Sequence, residues 1–384
     1  MSFSRRRFVH LVGAGAVGSL LAPTVSARGL ESRAGGAPDD GGRTPSRLAD
    51  PIRLDSNENP LGPGRAALDA LAAAVAGAHR YAFGAGDALR AAIARSHGVA
   101  PANVALGCGS TDILRAVAHA ALTPARGLLT AAPTFESITR DAERLGAPVR
   151  AVPVRGDLRL DLAAMADASR GAGLVYLCTP NNPTATVHGR DAVQGFAERV
   201  LRDTPTAMVL VDEAYHEYVD DASYGTAIPL ALQNPRVVVA RTFSKVYGMA
   251  GLRVGYAVGH ADAIAAIDPH TLDIGVNALG AAAALAALAD TAALERERAR
   301  NREAREFTRR FFVDAGLAPT AAETNFLMVD LRRDAKPFRE RCRDAGVLVG
   351  RAFPPLHTHA RVTIGTMDEM RRATAVFRKV LTSA

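Results

Sequence analysis

The chain has 384 residues, 48% of them hydrophobic, with 46 basic against 39 acidic side chains and a formal net charge of +7. That composition excludes a disordered chain and can bury a large core, and the length suits two domains better than one. The basic excess is scattered as arginine, with no basic run interleaved with aromatics, so a nucleic-acid partner is not expected.

The first 27 residues read as a separate text. Ser4-Arg5-Arg6-Arg7-Phe8-Val9 precedes a glycine-diluted apolar run from Leu11 to Leu21, then the small-x-small site Val25-Ser26-Ala27. This resembles a twin-arginine signal peptide, which implies export to the periplasm. Its removal would lower the net charge from +7 to +4, because it carries Arg5, Arg6, Arg7 and no acid. Residues 28–50, with Gly-Gly-Ala-Pro-Asp-Asp-Gly-Gly, read as a flexible linker, and residues 51–64 as an N-terminal arm. No later apolar run reaches the roughly 18 residues a membrane span needs.

From residue 65 helical and strand patterns alternate. Helices are expected over 65–77, 87–97 and 111–122, the last with Ile113, Leu114, Val117 and Ala121 on one face. Buried strands are expected over 127–130, 174–178, 208–211, 237–240 and 255–258. This alternation predicts an α/β fold with a largely parallel central sheet in a large domain, residues 65–285. One long helix over 278–312 leads into a smaller α/β C-terminal domain, residues 286–384, with strands at 325–329 and 361–364. Cys108, Cys178 and Cys342 are too dispersed for a disulfide framework or a zinc site. His357-x-His359 beside Pro354-Pro355 reads as loop, so no metal is expected.

In open α/β sheets ligands bind beyond the carboxyl ends of the strands. At those ends stand Gly107-Cys-Gly-Ser-Thr-Asp112, Pro133-Thr-Phe135, Thr179-Pro-Asn-Asn-Pro-Thr184, Asp212-Glu-Ala-Tyr215 and Arg241-Thr-Phe-Ser-Lys245. Lys245 is one of only three lysines, the others being Lys336 and Lys379. An amine there can form a Schiff base with an aldehyde, which a guanidinium cannot. Pyridoxal phosphate fits the neighbouring groups. The carboxylate of Asp212 can keep a ring nitrogen protonated. Gly109, Ser110 and Thr111 offer N–H groups to phosphate at a helix N-terminus, and Ser244 and Arg253 add a hydroxyl and a cation.

These motifs, with Ser56-Asn-Glu-Asn-Pro-Leu-Gly-Pro63, Arg80-Tyr81, Gly251-Leu-Arg253 and Arg361-Val-Thr-Ile-Gly-Thr366, stand in the order of a known family. The chain from about residue 50 resembles the fold-type I pyridoxal-phosphate aminotransferases, most closely the histidinol-phosphate aminotransferase branch. The resemblance implies that Lys245 is the Schiff-base lysine and proton shuttle, that Asp212 pairs with the ring nitrogen, and that Tyr215 and Asn182 bind the ring hydroxyl. It further implies that Phe135 stacks on the ring, that Arg361 and Asn182 meet the substrate, and that Tyr81 reaches the phosphate of a neighbouring subunit in a homodimer. The substrates would be an amino donor and a 2-oxo acid. The same fold and lysine also run decarboxylations and oxidations, and an inactive ligand-binding protein is the non-enzyme alternative. A carboxylate clamp at Arg361 favours transamination, and the intact Asp212–Lys245 pair argues against the inactive alternative.

The sequence departs from the branch in three respects. Where the branch has a strand arginine four residues after its Gly-Val pair, counting from Gly346 gives Gly350, with Arg351 one later. The segment Pro269-His-Thr-Leu-Asp-Ile-Gly-Val-Asn277 lacks the usual aromatics. Histidine biosynthesis is cytoplasmic, whereas this chain carries an export-like leader. A donor other than histidinol phosphate is therefore expected. If the leader is read as proposed, replacing Arg5, Arg6 and Arg7 with Lys should retain the protein in the cytoplasm. Cell fractionation checks this, and unchanged secretion would contradict it.

Overall fold

The computed structural model describes residues 51–382 except Ala82. The signal-like segment 1–27 and the linker 28–50 lie outside the described residues.

The chain enters as β1 (Ile52–Leu54), α1 (Arg65–Val75) and α2 (Ala85–His97). An alternating run follows: β2 (Val104–Cys108), α3 (Ser110–Ala121), β3 (Gly127–Ala132), α4 (Ser137–Arg144), β4 (Val149–Pro153), α5 (Leu162–Asp167), β5 (Ala172–Cys178), α6 (Arg190–Asp203), β6 (Met208–Asp212), α7 (Ile228–Gln233), β7 (Val237–Thr242) and β8 (Val254–Gly259). The remainder comprises α8 (Ala261–Ile267), α9 (Ala278–Ala289), α10 (Thr291–Asp314), β9 (Ala318–Pro319), β10 (Phe326–Asp330), α11 (Ala335–Asp344), β11 (Val347–Val349), β12 (His359–Thr363) and α12 (Met367–Thr382).

Seven strands form one sheet in the order β2-β8-β7-β6-β5-β3-β4. The pairs β6–β7, β5–β6, β3–β5 and β3–β4 are parallel, and only β8 runs against its neighbours. Helices cover both faces, so β5 and β7 are buried at every residue, as their continuous apolar text requires. The apolar face of α3 packs Ile113, Leu114 and Val117 beneath the sheet beside Leu174 and Leu210. On the other face α6 contributes Val193, Phe196 and Val200 to the core.

A second core lies in the C-terminal part, where Phe312, Phe326, Phe338 and Phe377 are buried. Its sheet has the order β12-β10-β9, with Met328 opposite Arg361. The N-terminal arm joins this core. Ile52 and Leu54 are buried in it, and β1 pairs in parallel with β11, Ile52 opposite Val347.

The structure corrects the sequence reading at several elements. The expected single helix over 278–312 is two helices, α9 and α10, bent by 82°. Asp290 breaks it: the residue leaves helical geometry at φ −92°, ψ 68°, and its carboxylate accepts the Ala293 N–H, capping α10. The strands β1, β2, β4, β9 and β11 were not foreseen. In β2, Ala105 and Gly107 dilute the β-branched signal, and the strand is held by its full ladder to β8. β4 is a mostly exposed edge with an arginine and a proline. Among the described residues no single helix is long and apolar enough to cross a membrane.

Candidate active site

A cavity of about 680 Å³ opens at the carboxyl ends of β5, β6 and β7 and extends to the C-terminal sheet. Asp212 closes β6 and lies at its floor, almost fully buried. Its Oδ2 accepts the Tyr176 hydroxyl at 2.8 Å and its Oδ1 accepts the Ala214 N–H at 3.2 Å. Burial pushes its pKa up to about 6, against the opposing pull of these two donors and of Lys245. Lys245 follows β7 in a tight turn, where the Gly248 N–H returns to the Lys245 carbonyl. Its Nζ donates to the Asn57 carbonyl at 3.2 Å and stands 5.5 Å from the centroid of the Tyr215 ring. Burial first, and the Arg361 charge second, lower the ammonium to a pKa of about 8. A neutral, nucleophilic amine is thus accessible near neutral pH, which no arginine at this position could offer. The Tyr215 hydroxyl accepts a bond from Asn57 Nδ2 at 3.1 Å, and burial raises its pKa.

One end of the cavity is built for an anion. Ser110 and Thr111 line it from the first turn of α3, whose N-cap, Gly109, supplies no side-chain cap. The Ser110 and Thr111 N–H groups have no intrahelical acceptor there, whereas the Asp112 N–H donates to the Gly109 carbonyl. Ser244 and Arg253 line the same end. Two glycines permit the approach. A Cβ on Gly109, which sits at φ +76°, would lie 2.2 Å from Arg253 Nη2, and one on Gly255 would lie 2.1 Å from the Ser110 nitrogen.

At the opposite end stands Arg361 of β12, only 8% exposed. It donates to Asn182 Oδ1 at 2.7 Å and to the Asp55 carbonyl at 2.5 Å. Its Nε is buried without a partner on the side that faces Gly350, 3.2 Å from where a Cβ on that residue would lie. The guanidinium lies between the rings of Phe353 and Phe326, 4.7 and 5.5 Å from their centroids. Gly350 backs it so tightly that a Cβ there would come within 2.9 Å of the Arg361 carbonyl oxygen. Arg351, one position later, still reaches the cavity, stacked 4.4 Å over Phe353 and paired with Glu136 at 2.7 Å. Arg339 and Arg343 of α11 line the same outer region.

Ser110, Thr111, Phe135, Asn182, Asp212, Tyr215, Ser244, Lys245, Arg253 and Arg361 therefore line one cavity, with Gly109 directly behind Arg253. Tyr81 does not line it. It is 76% exposed, its ring against that of Phe83, itself 80% exposed. The sequence reading gave no role to Asn57, although its motif was noted, nor to Tyr176, which reads as an ordinary core aromatic. It gave no role to Arg339 or Arg343 either.

The chain belongs to the aminotransferase class I and II family, which matches residues 49–377, and it is accordingly a pyridoxal-phosphate-dependent transaminase. Its relatives are more specific. It is 38% identical to the histidinol-phosphate aminotransferase of Symbiobacterium thermophilum over 336 residues, covering 87% of this chain and 91% of that protein. The Bacillus subtilis histidinol-phosphate aminotransferase is 34% identical, with 86% and 91% covered. Among solved structures, the histidinol-phosphate aminotransferase of Sinorhizobium meliloti in complex with pyridoxal-5'-phosphate superposes with a TM-score of 0.81 at 30% identity, over 87% of this chain and 91% of that one.

The cavity fits that cofactor on its own terms. The uncapped turn of α3 with Arg253 suits a phosphate, and Asp212 and Lys245 supply the carboxylate and the amine. The lowered Lys245 pKa sets a pH dependence that needs no cofactor. In cofactor-free protein, amine-directed labelling of Lys245 should rise about tenfold per pH unit below about pH 8 and level off above it, as the neutral amine saturates. Competitive labelling with peptide mapping measures this. A midpoint near that of an ordinary exposed lysine would contradict the burial argument.

Proposed function

We propose that the protein moves an amino group between an α-amino acid and a 2-oxo acid, with Arg361 clamping the α-carboxylate. The observation that carries this reading is a buried arginine, Arg361, in the lining of the cavity that holds Lys245. When bound, pyridoxal phosphate supplies an aldehyde for an amine and an electron-withdrawing ring beside the α-carbon. Lys245 Nζ would hold the group and move the proton at the α-carbon. Asp212 would keep a ring nitrogen protonated. Tyr215 and Asn182 would orient the ring hydroxyl, and Phe135 would cover the ring. Gly109, Ser110, Thr111, Ser244 and Arg253 would bind the phosphate. A carboxylate held by Arg361 would be kept from leaving, which favours proton loss over decarboxylation.

A second reading has its own support. The relatives named above are histidinol-phosphate aminotransferases, and Arg351, Arg339 and Arg343 line the outer cavity, so the cation absent at Gly350 is offset nearby. Histidinol phosphate has no carboxylate, and its phosphate would sit at this outer end. Side-by-side kinetics on wild type and Arg361→Ala decide between the readings. Hydrogen bonds to charged groups are worth about 1.5–3 kcal/mol, so Arg361→Ala should lose about tenfold to a hundredfold in kcat/KM on α-amino acids. A wild-type preference for histidinol phosphate, or an undiminished variant, would favour the second reading.

The leader argues for a periplasmic enzyme, exported folded with its cofactor. We also propose a homodimer in which Tyr81 of each chain completes the other's phosphate site, which accounts for an exposed tyrosine in a motif shared with the family. Mixing Lys245→Ala chains with Tyr81→Ala chains should then recover activity above that of either alone, because hybrids hold one intact site. A fully active monomer by light scattering would overturn it.

A further inference from the structure

Behind the cavity floor, Tyr176 makes a contact that the reaction as described does not use. It lies on β5 opposite Leu210 of β6, while Asp212 is opposite Cys178. Tyr176 and Asp212 are thus diagonal neighbours on one face of a parallel pair, a spacing that a long aromatic side chain can bridge and an aliphatic one cannot. The phenol ends 2.8 Å from Asp212 Oδ2. Its ring is buried among Leu174, Leu210 and Val238, where a hydroxyl without a partner would carry a desolvation cost. A phenylalanine would fill the same space without that cost. The hydroxyl is therefore explained by what it does for the carboxylate rather than by packing.

We propose that Tyr176 is a positioning residue for Asp212: its hydroxyl fixes the carboxylate plane and holds the group ionised for a protonated ring nitrogen. This rests on the reading of Asp212 as the ring-nitrogen partner. Asp212 receives two hydrogen bonds, the Ala214 N–H on Oδ1 and the Tyr176 hydroxyl on Oδ2. The other ionisable groups acting on it are Lys245, whose charge favours the carboxylate, and Glu213, which disfavours it. The Cys178 thiol faces both Tyr176 and Asp212, and burial keeps it protonated. Among these, Tyr176 alone is a neutral side-chain donor placed outside the cavity, so neither substrate nor cofactor can displace it. Burial opposes the ionised form of Asp212, and the Tyr176 hydrogen bond counters that opposition.

The test is Tyr176→Phe, read first in cofactor-free protein by the carboxyl-carbon NMR titration of Asp212. Losing a donor to the ionised form should raise the Asp212 midpoint by about one pH unit or more, equivalent to a tenfold change in its ionisation equilibrium. The dissociation constant of added pyridoxal phosphate at neutral pH should rise about tenfold, and kcat should fall with little change in KM. Tyr218→Phe is the control. It removes another buried hydroxyl bonded to a carboxylate, Glu297 at 3.3 Å, and should leave the Asp212 titration in place. An Asp212 midpoint unmoved by Tyr176→Phe, or moved equally by Tyr218→Phe, overturns the inference. Asp212→Asn tests the underlying reading separately. If it leaves cofactor affinity intact, the ring-nitrogen role fails, whereas the Tyr176 titration still stands or falls on its own.

Discussion

Asn57 is the residue on which the site depends. Its carbonyl receives both Lys245 Nζ and Asn325 Nδ2, its side-chain amide donates to the Tyr215 hydroxyl, and its N–H and Oδ1 both meet Thr363 Oγ1. One asparagine thus joins the turn after β7, the end of β6, the entry to β10 and the strand β12. It is 1% exposed, so each of these polar groups would be costly to leave unpaired, and all are paired. It sits at φ 55°, a left-handed conformation that asparagine tolerates better than other non-glycine residues. The position therefore combines a backbone demand with a hydrogen-bonding demand. Lys245, Tyr215 and Arg361, two residues before Thr363, are placed relative to one another through it.

A second constraint lies beneath the strand ends. Arg241 is buried with Glu213 at 2.7 Å and Glu217 at 3.4 Å, and it also donates to Thr226. Glu213 adjoins Asp212, and Arg241 precedes Lys245 by four residues, so this ion pair ties the ends of β6 and β7 together. Charges this deep are stable only when paired and bonded throughout, and removing one partner would strand the other. The carboxylate and the amine of the site are thereby held at a fixed separation by groups that never touch the cavity.

The sequence made the inner parallel strands legible because β5, β6 and β7 are continuous apolar runs ending in polar motifs, a pattern with few alternatives. Lys245 and Asp212 were legible for the same reason, since strand ends are where such a sheet exposes chemistry. The break at Asp290 was not, because the alanine-rich and Arg/Glu-rich stretches each favour helix and only the capping geometry divides them. β2 was masked by its glycine and alanine. Tyr176 could not be told from a core aromatic, because its function depends on a cross-strand diagonal that exists only after β5 and β6 are in register. Arg351 illustrates the reverse case. Counting along the strand placed its cation outside the usual position, yet stacking on Phe353 turns it back into the cavity.

The pairing of β1 with β11, and the bonds from Asn57 to Thr363, 306 residues apart, have a consequence for how the protein is made. Contacts of such long range form late, since the entropy of closing the intervening chain must be overcome before they contribute anything. During synthesis the ribosome must release nearly the whole polypeptide before the hub around Lys245 can assemble. The central sheet can gather earlier, but a competent cofactor pocket is a property of the finished chain alone. Quality control by cofactor loading would then report on completion of the C-terminal strands as well as on folding of the sheet.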